Sequence, residues 1–376
     1  MLRFTLLLLA LAGLSVGGFA LWMSSGGDGL ELSAEELEAA RASGMGARAI
    51  EVEGDGAGAP LPSLEELRET VDRARLDAQL TRIAAARDAA EGDARGLLTV
   101  LLAEGHRMRG DLERAHELAT EGVERLPENS QAHFILAETI MARVVREAET
   151  GGVTAMVAAL DDVKRYQAEL AAAVALDPGN VDARVRQIIV LAFGPWPIGN
   201  KKRARALIEE LGEHDPFRRD FWQVQLLVGD DARVDEAIEG FRALEEQAPG
   251  DPDVLYNLGE LLAKQDRWRD AAAEFDRLVE DPRTQRSFQA MYQGAKARSA
   301  GGFELERALA DLEEFEAVRP LGDLMPGLDR VAFHRGNVLA GLGRVEEARA
   351  AYLRSLELAP DRERVRAALE ALDAGE

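Results

Sequence analysis

Apolar residues recur at helical spacing through most of the chain, in pairs of segments joined by short polar turns. Residues 252–281 show the pattern most clearly. One face of a first helix would hold Leu255, Leu258, Gly259 and Leu262, and one face of a second would hold Ala271, Phe275 and Leu278. An alternating pattern typical of β-strands does not appear at useful length. The sequence therefore predicts an all-α protein built from helix–turn–helix units.

Prolines recur near the ends of these units and set the length of the repeat. They are Pro127, Pro178, Pro216, Pro249, Pro282, Pro320 and Pro360. Upstream of most of them lie an alanine, about 12 residues earlier, and a large apolar residue about eight residues earlier. Since proline cannot continue a helical hydrogen-bond ladder, each one is expected to follow a second helix. The spacing indicates a repeat of about 34 residues.

Small residues mark the places where the two helices of a unit must approach closely. In the unit at 252–281 these are Gly259 and Ala271, with Phe275 filling the space below them. This combination closely resembles the tetratricopeptide repeat, and Gly336, Ala348 and Pro360 repeat it near the C-terminus. The resemblance implies an α-solenoid of about seven repeats whose first helices line a groove that binds other proteins.

The repeats are uneven in length and clarity. From Pro127 to Pro178 the unit is about 17 residues too long, and the excess falls around residues 147–159 with Gly151 and Gly152 at the turn. Gln225 takes a position where other repeats have a small residue, and the loop 193–200 is apolar around Trp196. We interpret these irregular units as candidates for partner specificity.

The first residues form an uninterrupted apolar run from Phe4 to Met23. A run of about 20 residues at 1.5 Å each just spans a bilayer core of roughly 30 Å. It is either a retained membrane anchor, which we favour, or a cleaved signal peptide. Arg3 precedes the run and acidic residues follow it, which places the N-terminus in the cytoplasm. The sequence therefore predicts a membrane-anchored bacterial repeat protein that contacts the inner-membrane bilayer through residues 4–23 and faces the periplasm, or a secreted periplasmic one.

The chain divides into five segments. We expect an N-terminal membrane anchor or signal over 1–27, an acidic, glycine-rich tether over 28–62, a capping helix over 63–95, the repeats over 96–360 and a C-terminal cap over 361–376. Ser63 and Glu66 form a capping-box pattern, and the apolar residues after them predict one helix that continues to about Ala90.

Composition and charge point away from several function classes. The formal net charge is -23, which disfavours nucleic acid as a partner. The five histidines are scattered, there is no cysteine, and no nucleophile elbow or metal-binding spacing occurs. We expect a non-catalytic protein without a metal or other cofactor.

Aromatic residues recur at the fifth position of the repeat, which points into the groove of a tetratricopeptide fold. They are Phe134, Trp222, Tyr256, Tyr292 and Phe333. One hypothesis is that they form a ladder that receives an extended peptide or an amphipathic helix, because rigid rings supply contact area at low entropic cost. The alternative is that the rings pack between neighbouring first helices.

Basic residues cluster around the third repeat despite the acidic composition. They are Arg184, Arg186, Lys201, Lys202, Arg203 and Arg205. They either bind an anionic partner, such as lipid headgroups or an acidic segment, or form a surface patch balanced by glutamates.

Together these features predict a membrane-tethered scaffold that binds protein segments in its groove. Two alternatives remain: a delivery factor resembling the repeat proteins of cytochrome c maturation, and a structural spacer that organises oligomers by self-association.

Overall fold

The computed structural model describes residues 60–150, 153–194, 198–280, 283–322 and 325–374. These residues form seventeen α-helices and no strand, which confirms the all-α class. The chain divides into two compact units, Met1–Arg233 and Val234–Glu376.

The first unit begins with two capping helices and continues with helix pairs. Its helices are α1 (Leu64–Arg68), α2 (Arg73–Ala89), α3 (Gly92–Arg109), α4 (Leu112–Arg125), α5 (Ser130–Thr150), α6 (Val153–Leu176), α7 (Val181–Phe193), α8 (Lys201–Leu211) and α9 (Pro216–Gln225). Within each of the pairs α3–α4, α5–α6 and α7–α8 the two helices pack against each other.

The second unit repeats the same helix–turn–helix plan. Its helices are α10 (Val234–Gln247), α11 (Pro252–Lys264), α12 (Trp268–Asp276), α13 (Gln285–Gly301), α14 (Leu305–Val318), α15 (Leu328–Gly341), α16 (Val345–Leu358) and α17 (Glu363–Ala374). The pairs α11–α12, α13–α14 and α15–α16 are each packed together, and α17 packs on α16. The boundary between the units falls between α9 and α10, the two helices of the repeat in which Gln225 replaces the small residue.

The small residues act as the sequence predicts. A Cβ added to Gly259 would lie 2.8 Å from Cε1 of Phe275, and one added to Gly336 would lie 2.4 Å from Cε1 of Tyr352. Both rings are buried. Any side chain at these glycines would therefore push the two helices of the pair apart.

Two prolines lie at the beginnings of helices. Pro216 is the first residue of α9 and Pro252 the first of α11, so both begin helices. Proline is favoured there because the first amide of a helix has no carbonyl partner to lose. Pro216 therefore follows α8, the second helix of its pair, as expected, but it begins α9 instead of ending α8, which already ends at Leu211. Pro282 lies outside the described residues, and α12 ends before it, at Asp276.

The prediction of a single helix from Ser63 to about Ala90 is wrong, because two helices occupy this range. The capping box is present: Oγ of Ser63 accepts from the Glu66 amide at 3.1 Å, and Oε2 of Glu66 accepts from the Ser63 amide at 2.8 Å. However, this helix ends at Arg68, and Asp72 caps a second one by accepting from the Arg75 amide at 2.7 Å. Because Asp72 is a favourable N-cap residue, the chain begins a new helix there instead of continuing the one that ends at Arg68.

The extra residues of the long repeat between Pro127 and Pro178 extend its two helices. Helices α5 and α6 contain 21 and 24 residues, whereas the next pair, α7 and α8, contains 13 and 11. Gly151 and Gly152 themselves lie outside the described residues. The excess therefore lengthens both helices up to that turn.

Each unit also buries charged groups that the apolar pattern does not reveal. In the first unit the fully buried carboxylate of Glu104 accepts from Nε of Arg68 at 2.7 Å and from Nε of Arg107 at 2.8 Å. In the second, the guanidinium of Arg298 is 1% exposed and donates from Nη2 to Asp276 at 2.6 Å. Such groups are stable inside a protein only when their hydrogen bonds are satisfied.

The segments predicted as anchor and tether fall largely on residues 1–59, which lie outside the described residues. Among the helices that are described, none is long and apolar enough to cross a membrane.

Candidate functional site

The first helices of the second unit lie side by side and create one continuous surface. Helix α11 packs on α13, α13 on α15, and α15 on α17. We call this surface the first-helix face. It corresponds to the groove that the repeat resemblance predicts, and it contains three of the five predicted aromatic positions: Tyr256, Tyr292 and Phe333.

These three rings pack mainly inside the unit. Tyr256 and Tyr292 are 6% and 7% exposed, and Phe333 is half-buried. Tyr256 meets Phe275 at 5.7 Å between ring centroids, Tyr292 meets Phe315 at 6.2 Å, and Phe333 meets Tyr352 at 6.0 Å. The rings thus join each first helix to a second helix, as the packing alternative describes. Their role in binding a partner stays a prediction.

The other two aromatic positions lie in the first unit and are equally enclosed. Phe134 is 2% exposed and Trp222 is 4% exposed. Trp222 and Phe221 pack edge to face, with 5.7 Å between the ring centroids. Both rings contribute to the core of that unit, where little of their surface can reach a ligand.

Cations lie over three of the five rings. The guanidinium carbon of Arg68 is 5.4 Å from the ring centroid of Phe134, and that of Arg286 is 4.9 Å from the ring of Tyr256. Nζ of Lys296 lies 5.5 Å from the ring of Tyr292. Cations are attracted to ring faces at these distances. Cationic side chains therefore cover the faces of three of the five predicted aromatic rings.

Hydrogen bonds connect the polar side chains of α11 and α13 across the face. Nε2 of Gln293 donates to Oη of Tyr256 at 3.1 Å and to Oε1 of Glu260 at 2.9 Å. In turn, Oε1 of Gln293 accepts from Nζ of Lys296 at 2.6 Å. Arg286 forms an ion pair with Asp253. This network fixes Lys296 on the face without giving it a carboxylate hydrogen-bond partner.

His334 occupies the next helix, α15, between two aromatic rings. Its ring lies 5.5 Å from that of Tyr292 and 5.1 Å from that of Phe333. Burial, together with the positive charges of Lys296, Arg364 and Arg330, lowers the pKa of His334 to about 3. Burial, together with Arg330 and Arg364, also lowers the pKa of Lys296, against the opposing effect of Glu260. Lys296, Arg330 and Arg364 therefore all act on His334, which is uncharged at neutral pH, and we call these three basic side chains the cationic cluster.

The aromatic pattern does not reveal this cluster, because its members belong to three different helices. A signal was present: Arg330 and Arg364 take the second position of their repeats and Lys296 the ninth, counting Tyr256 as the fifth of its own. Reading the second and the ninth positions of successive repeats together would have found it.

The predicted basic patch separates into two groups. Arg184 and Arg186 lie on α7, and their side chains form hydrogen bonds within the first unit. Nε of Arg184 donates to the Pro178 carbonyl at 2.7 Å, and burial lowers the pKa of Arg184. Nη2 of Arg186 donates to Oε2 of Glu138 at 2.7 Å.

The other four basic residues lie on α8 and are exposed: Lys201, Lys202, Arg203 and Arg205. Nη1 of Arg203 is 3.3 Å from Oε1 of Glu210. The first turn of α8 is basic and its last turn contains Glu209 and Glu210, so its charges oppose the helix dipole at both ends. An anionic partner at this place would meet these four side chains. Trp196 in the neighbouring loop lies outside the described residues.

No group of three metal-binding side chains forms within the described part of the chain. The histidines there have structural partners in several cases. Nδ1 of His133 is 2.7 Å from Oε2 of Glu169, and Nδ1 of His106 is 3.3 Å from Oδ2 of Asp111. These contacts join neighbouring helix segments.

Family models described as tetratricopeptide repeat match residues 230–298 and 330–362. Among curated proteins, no sequence matches this chain significantly. The fold resembles several solved structures. The human IFIT1 dimer with PPP-AAAA is 16% identical, with 80% of this chain and 70% of that chain covered and a TM-score of 0.53.

Two further structures resemble this chain at lower TM-scores. Cut9–Hcn1, an APC/C hetero-tetramer, is 13% identical over 81% of this chain and 53% of that chain, with a TM-score of 0.49. The pilF protein of Pseudomonas aeruginosa is 16% identical over 78% of this chain and 99% of that chain, with a TM-score of 0.35. This chain thus spans about half the length of the Cut9–Hcn1 chain. At these identities the likeness concerns the fold alone.

Proposed function

This chain carries tetratricopeptide repeats, and we propose that it is a non-catalytic scaffold that binds segments of other proteins along its first-helix face. The observation that carries the proposal is the side-by-side packing of α11, α13, α15 and α17, which aligns equivalent positions of successive repeats on one surface. A surface of this kind suits an extended segment, which can contact several repeats at once. The interior of each pair is closed by side chains such as Phe275 and Tyr352, so binding takes place on the surface.

A photo-crosslinking residue placed at Ala300 should form adducts with partner proteins in intact cells. Ala300 is exposed near the end of α13, four residues after Lys296 and eight after Tyr292, so it shares their face. We expect discrete adducts of higher mass after irradiation, detected by immunoblotting and identified by mass spectrometry.

The matched control is the same photo-crosslinking residue at Ala273. This alanine is also exposed, but it lies on the second helix α12. Adducts that form equally from both positions would contradict a binding role for the first-helix face, and so would the lack of adducts at position 300. A single adduct with twice the mass of the chain would instead support the oligomer-organising alternative.

We further propose that the scaffold is tethered to the bacterial inner membrane with its repeats in the periplasm. The support is the apolar run 4–23, with Arg3 before it and acidic residues after it. Protease added to spheroplasts should then degrade the repeats, whereas intact cells should protect them. Immunoblotting of the chain beside a cytoplasmic marker measures this. Repeats that resist protease in spheroplasts, yet are degraded once detergent opens the membrane, would overturn the periplasmic assignment.

A further inference from the structure

We propose that helix α1 is a displaceable internal ligand of the first unit. It occupies a site that binds, once α1 has left, a segment of a partner protein in which a leucine is followed directly by an arginine. This goes beyond the proposed function, since the site lies on α3, α5 and α7 of the first unit and not on the first-helix face of the second.

The side chain of Arg68 reaches from α1 to the first helices of three successive pairs. Its Nε donates to Oε1 of Glu104 on α3 at 2.7 Å, and its Nη1 donates to Oδ2 of Asp182 on α7 at 3.4 Å. Its guanidinium carbon is 5.4 Å from the ring centroid of Phe134 on α5. The helix that precedes the repeats therefore covers Phe134, one of the predicted groove positions.

Leu67 supplies the apolar part of the contact. It is fully buried, and it is the only buried residue among the five residues of α1. A Cβ added to Gly105 would lie 3.6 Å from Cδ2 of Leu67, so the leucine packs on α3 at a residue without a side chain. Leu67 and Arg68 therefore act as a pair, one apolar and one cationic, that fits adjoining parts of the same surface.

The polar groups of the site favour a guanidinium over other side chains. The carboxylates of Glu104 and Asp182 accept from two different nitrogens of Arg68, and the ring of Phe134 lies within cation–π distance of the same group. A guanidinium has donors in several fixed directions, whereas the ammonium of lysine is one compact charge. Since the side chain of Glu104 is fully buried, a neutral residue there would leave it with one partner fewer.

The local structure allows α1 to leave while the rest of the unit stays folded. Residues 69–72 separate α1 from α2, and α2 has its own N-cap at Asp72 and packs on α3. When Arg68 leaves, Glu104 keeps Arg107, whose Nε donates to its Oε2 at 2.8 Å. A partner segment with a leucine and an arginine would replace the contacts that α1 gives up. In the natural chain α1 competes with it as a tethered ligand of high effective concentration.

Hydrogen–deuterium exchange of the natural full chain tests whether α1 opens on its own. The amides of Leu67, Glu69 and Thr70 donate to carbonyls within or next to α1, so they report on this helix. We expect them to be at least about 100-fold less protected than the amides of α3, because α1 opens locally whereas α3 opens only with the unit. Equal protection of α1 and α3 would show that α1 is a permanent part of the unit, and it would overturn the proposal.

Fluorescence polarisation with the full chain tests the site itself. The probe is a fluorescein-labelled, amidated peptide with the sequence of residues 60–71. The variant L67S/R68Q disables the chain's own α1 and leaves Glu104, Phe134 and Asp182 in place. We expect the peptide to bind this variant at least about tenfold more tightly than the natural chain, in which α1 competes. The R68K form of the peptide should bind the variant at least about fivefold less tightly than the natural sequence.

The matched control is E65Q/E69Q, which changes two exposed side chains of the same segment. It should bind the peptide within about twofold of the natural chain, because Leu67 and Arg68 still hold α1 in the site. Circular dichroism establishes that the variants remain helical, and R68Q alone replaces L67S/R68Q if that variant does not. Equal affinity of the natural chain and the disabled variant, or equal binding of an R68Q peptide, would overturn the proposal. So would a dimer of the natural chain that L67S/R68Q abolishes in light scattering, because the segment would then come from a second copy.

The crosslinking at position 300 reports on the second unit, so its result is independent of these measurements. Adducts there without binding of the peptide to L67S/R68Q would refute the internal ligand and leave the scaffold proposal standing. Binding of the peptide without adducts at position 300 would support the site under α1 and contradict the proposed role of the first-helix face.

Discussion

Replacing Phe275 by alanine should lower the free energy of unfolding of the second unit by about 3–5 kcal/mol. The ring is 1% exposed and lies where α12 meets both of its neighbouring first helices. A Cβ on Gly259 of α11 would be 2.8 Å from the ring, and a Cβ on Gly294 of α13 would be 3.6 Å from Cβ of Phe275. Because both neighbours are glycines, they have no side chains that could move into the cavity. The cost should therefore lie near the upper end of the range.

A double-mutant cycle makes this prediction specific. In the natural chain Gly259→Ala should be destabilising, because the new methyl group collides with Phe275. In the Phe275→Ala background the same change should be stabilising, because the methyl group fills part of the cavity and alanine favours helix by about 1 kcal/mol.

Hydrogen–deuterium exchange of α11 to α13 and urea-induced unfolding of the full chain measure both effects. Leu353→Ala is the control, since Leu353 is 47% exposed on α16, and it should change stability by less than about 0.5 kcal/mol. If Gly259→Ala changes the free energy of unfolding in the same direction in both backgrounds, Phe275 does not fill the space that the glycine leaves.

Glu104→Gln should destabilise the first unit by about 3–5 kcal/mol at neutral pH. The substitution keeps the volume of the side chain but removes the only carboxylate shown to bind both Arg68 and Arg107 in the described residues. Arg107 is 9% exposed, so its buried charge would lose the carboxylate that lies 2.8 Å from its Nε. Since Arg68 belongs to α1, the amides of that helix should also exchange faster with deuterium.

The stabilisation by Glu104 should decrease in acid. Burial alone would raise the pKa of Glu104, but the charges and hydrogen bonds of Arg107 and Arg68 outweigh burial and hold it far below its ordinary value near 4.5. The stabilisation by Glu104 is therefore complete above about pH 4.5 and declines as the pH falls below it.

The stability gap between the natural chain and the Glu104→Gln variant should accordingly narrow in acid, by up to about 1.4 kcal/mol per pH unit. Thermal unfolding between neutral pH and pH 3 measures the gap. Glu117→Gln removes an exposed ion pair with Arg114 and should show a small gap at every pH. A gap for Glu104→Gln that is constant with pH would refute the assigned ionisation.

The sequence predicted the features that depend on spacing. Helical periodicity and the small residues at Gly259 and Gly336 are enough to predict paired helices, because they reflect contacts between segments only a few residues apart in the repeat. The same reasoning located the long repeat between Pro127 and Pro178. Helical periodicity did not predict where each helix begins and ends. Asp72 competes with the apolar pattern and starts a new helix, which periodicity alone does not reveal.

The candidate site was predicted less well, because it depends on side chains that meet across helices. An aromatic residue at a groove position can face a ligand or fill a seam, and Tyr256 and Tyr292 fill seams with Arg286 and Lys296 above them. Likewise Arg184 looked like a surface cation, yet it donates to the Pro178 carbonyl inside the first unit. The sequence specifies the charge of each side chain, whereas the burial of a side chain and its hydrogen-bond partners depend on the tertiary structure.

The charges of α8 make that helix respond to salt in the opposite direction from most of the surface. Its basic first turn and acidic last turn both interact unfavourably with the helix dipole, so its order relies on the buried side chains of Ala204, Leu207, Ile208 and Leu211. Dissolved ions screen unfavourable and favourable exposed interactions alike. Rising ionic strength therefore weakens surface ion pairs elsewhere while it relieves α8, so the salt concentration of the surroundings redistributes stability within the first unit.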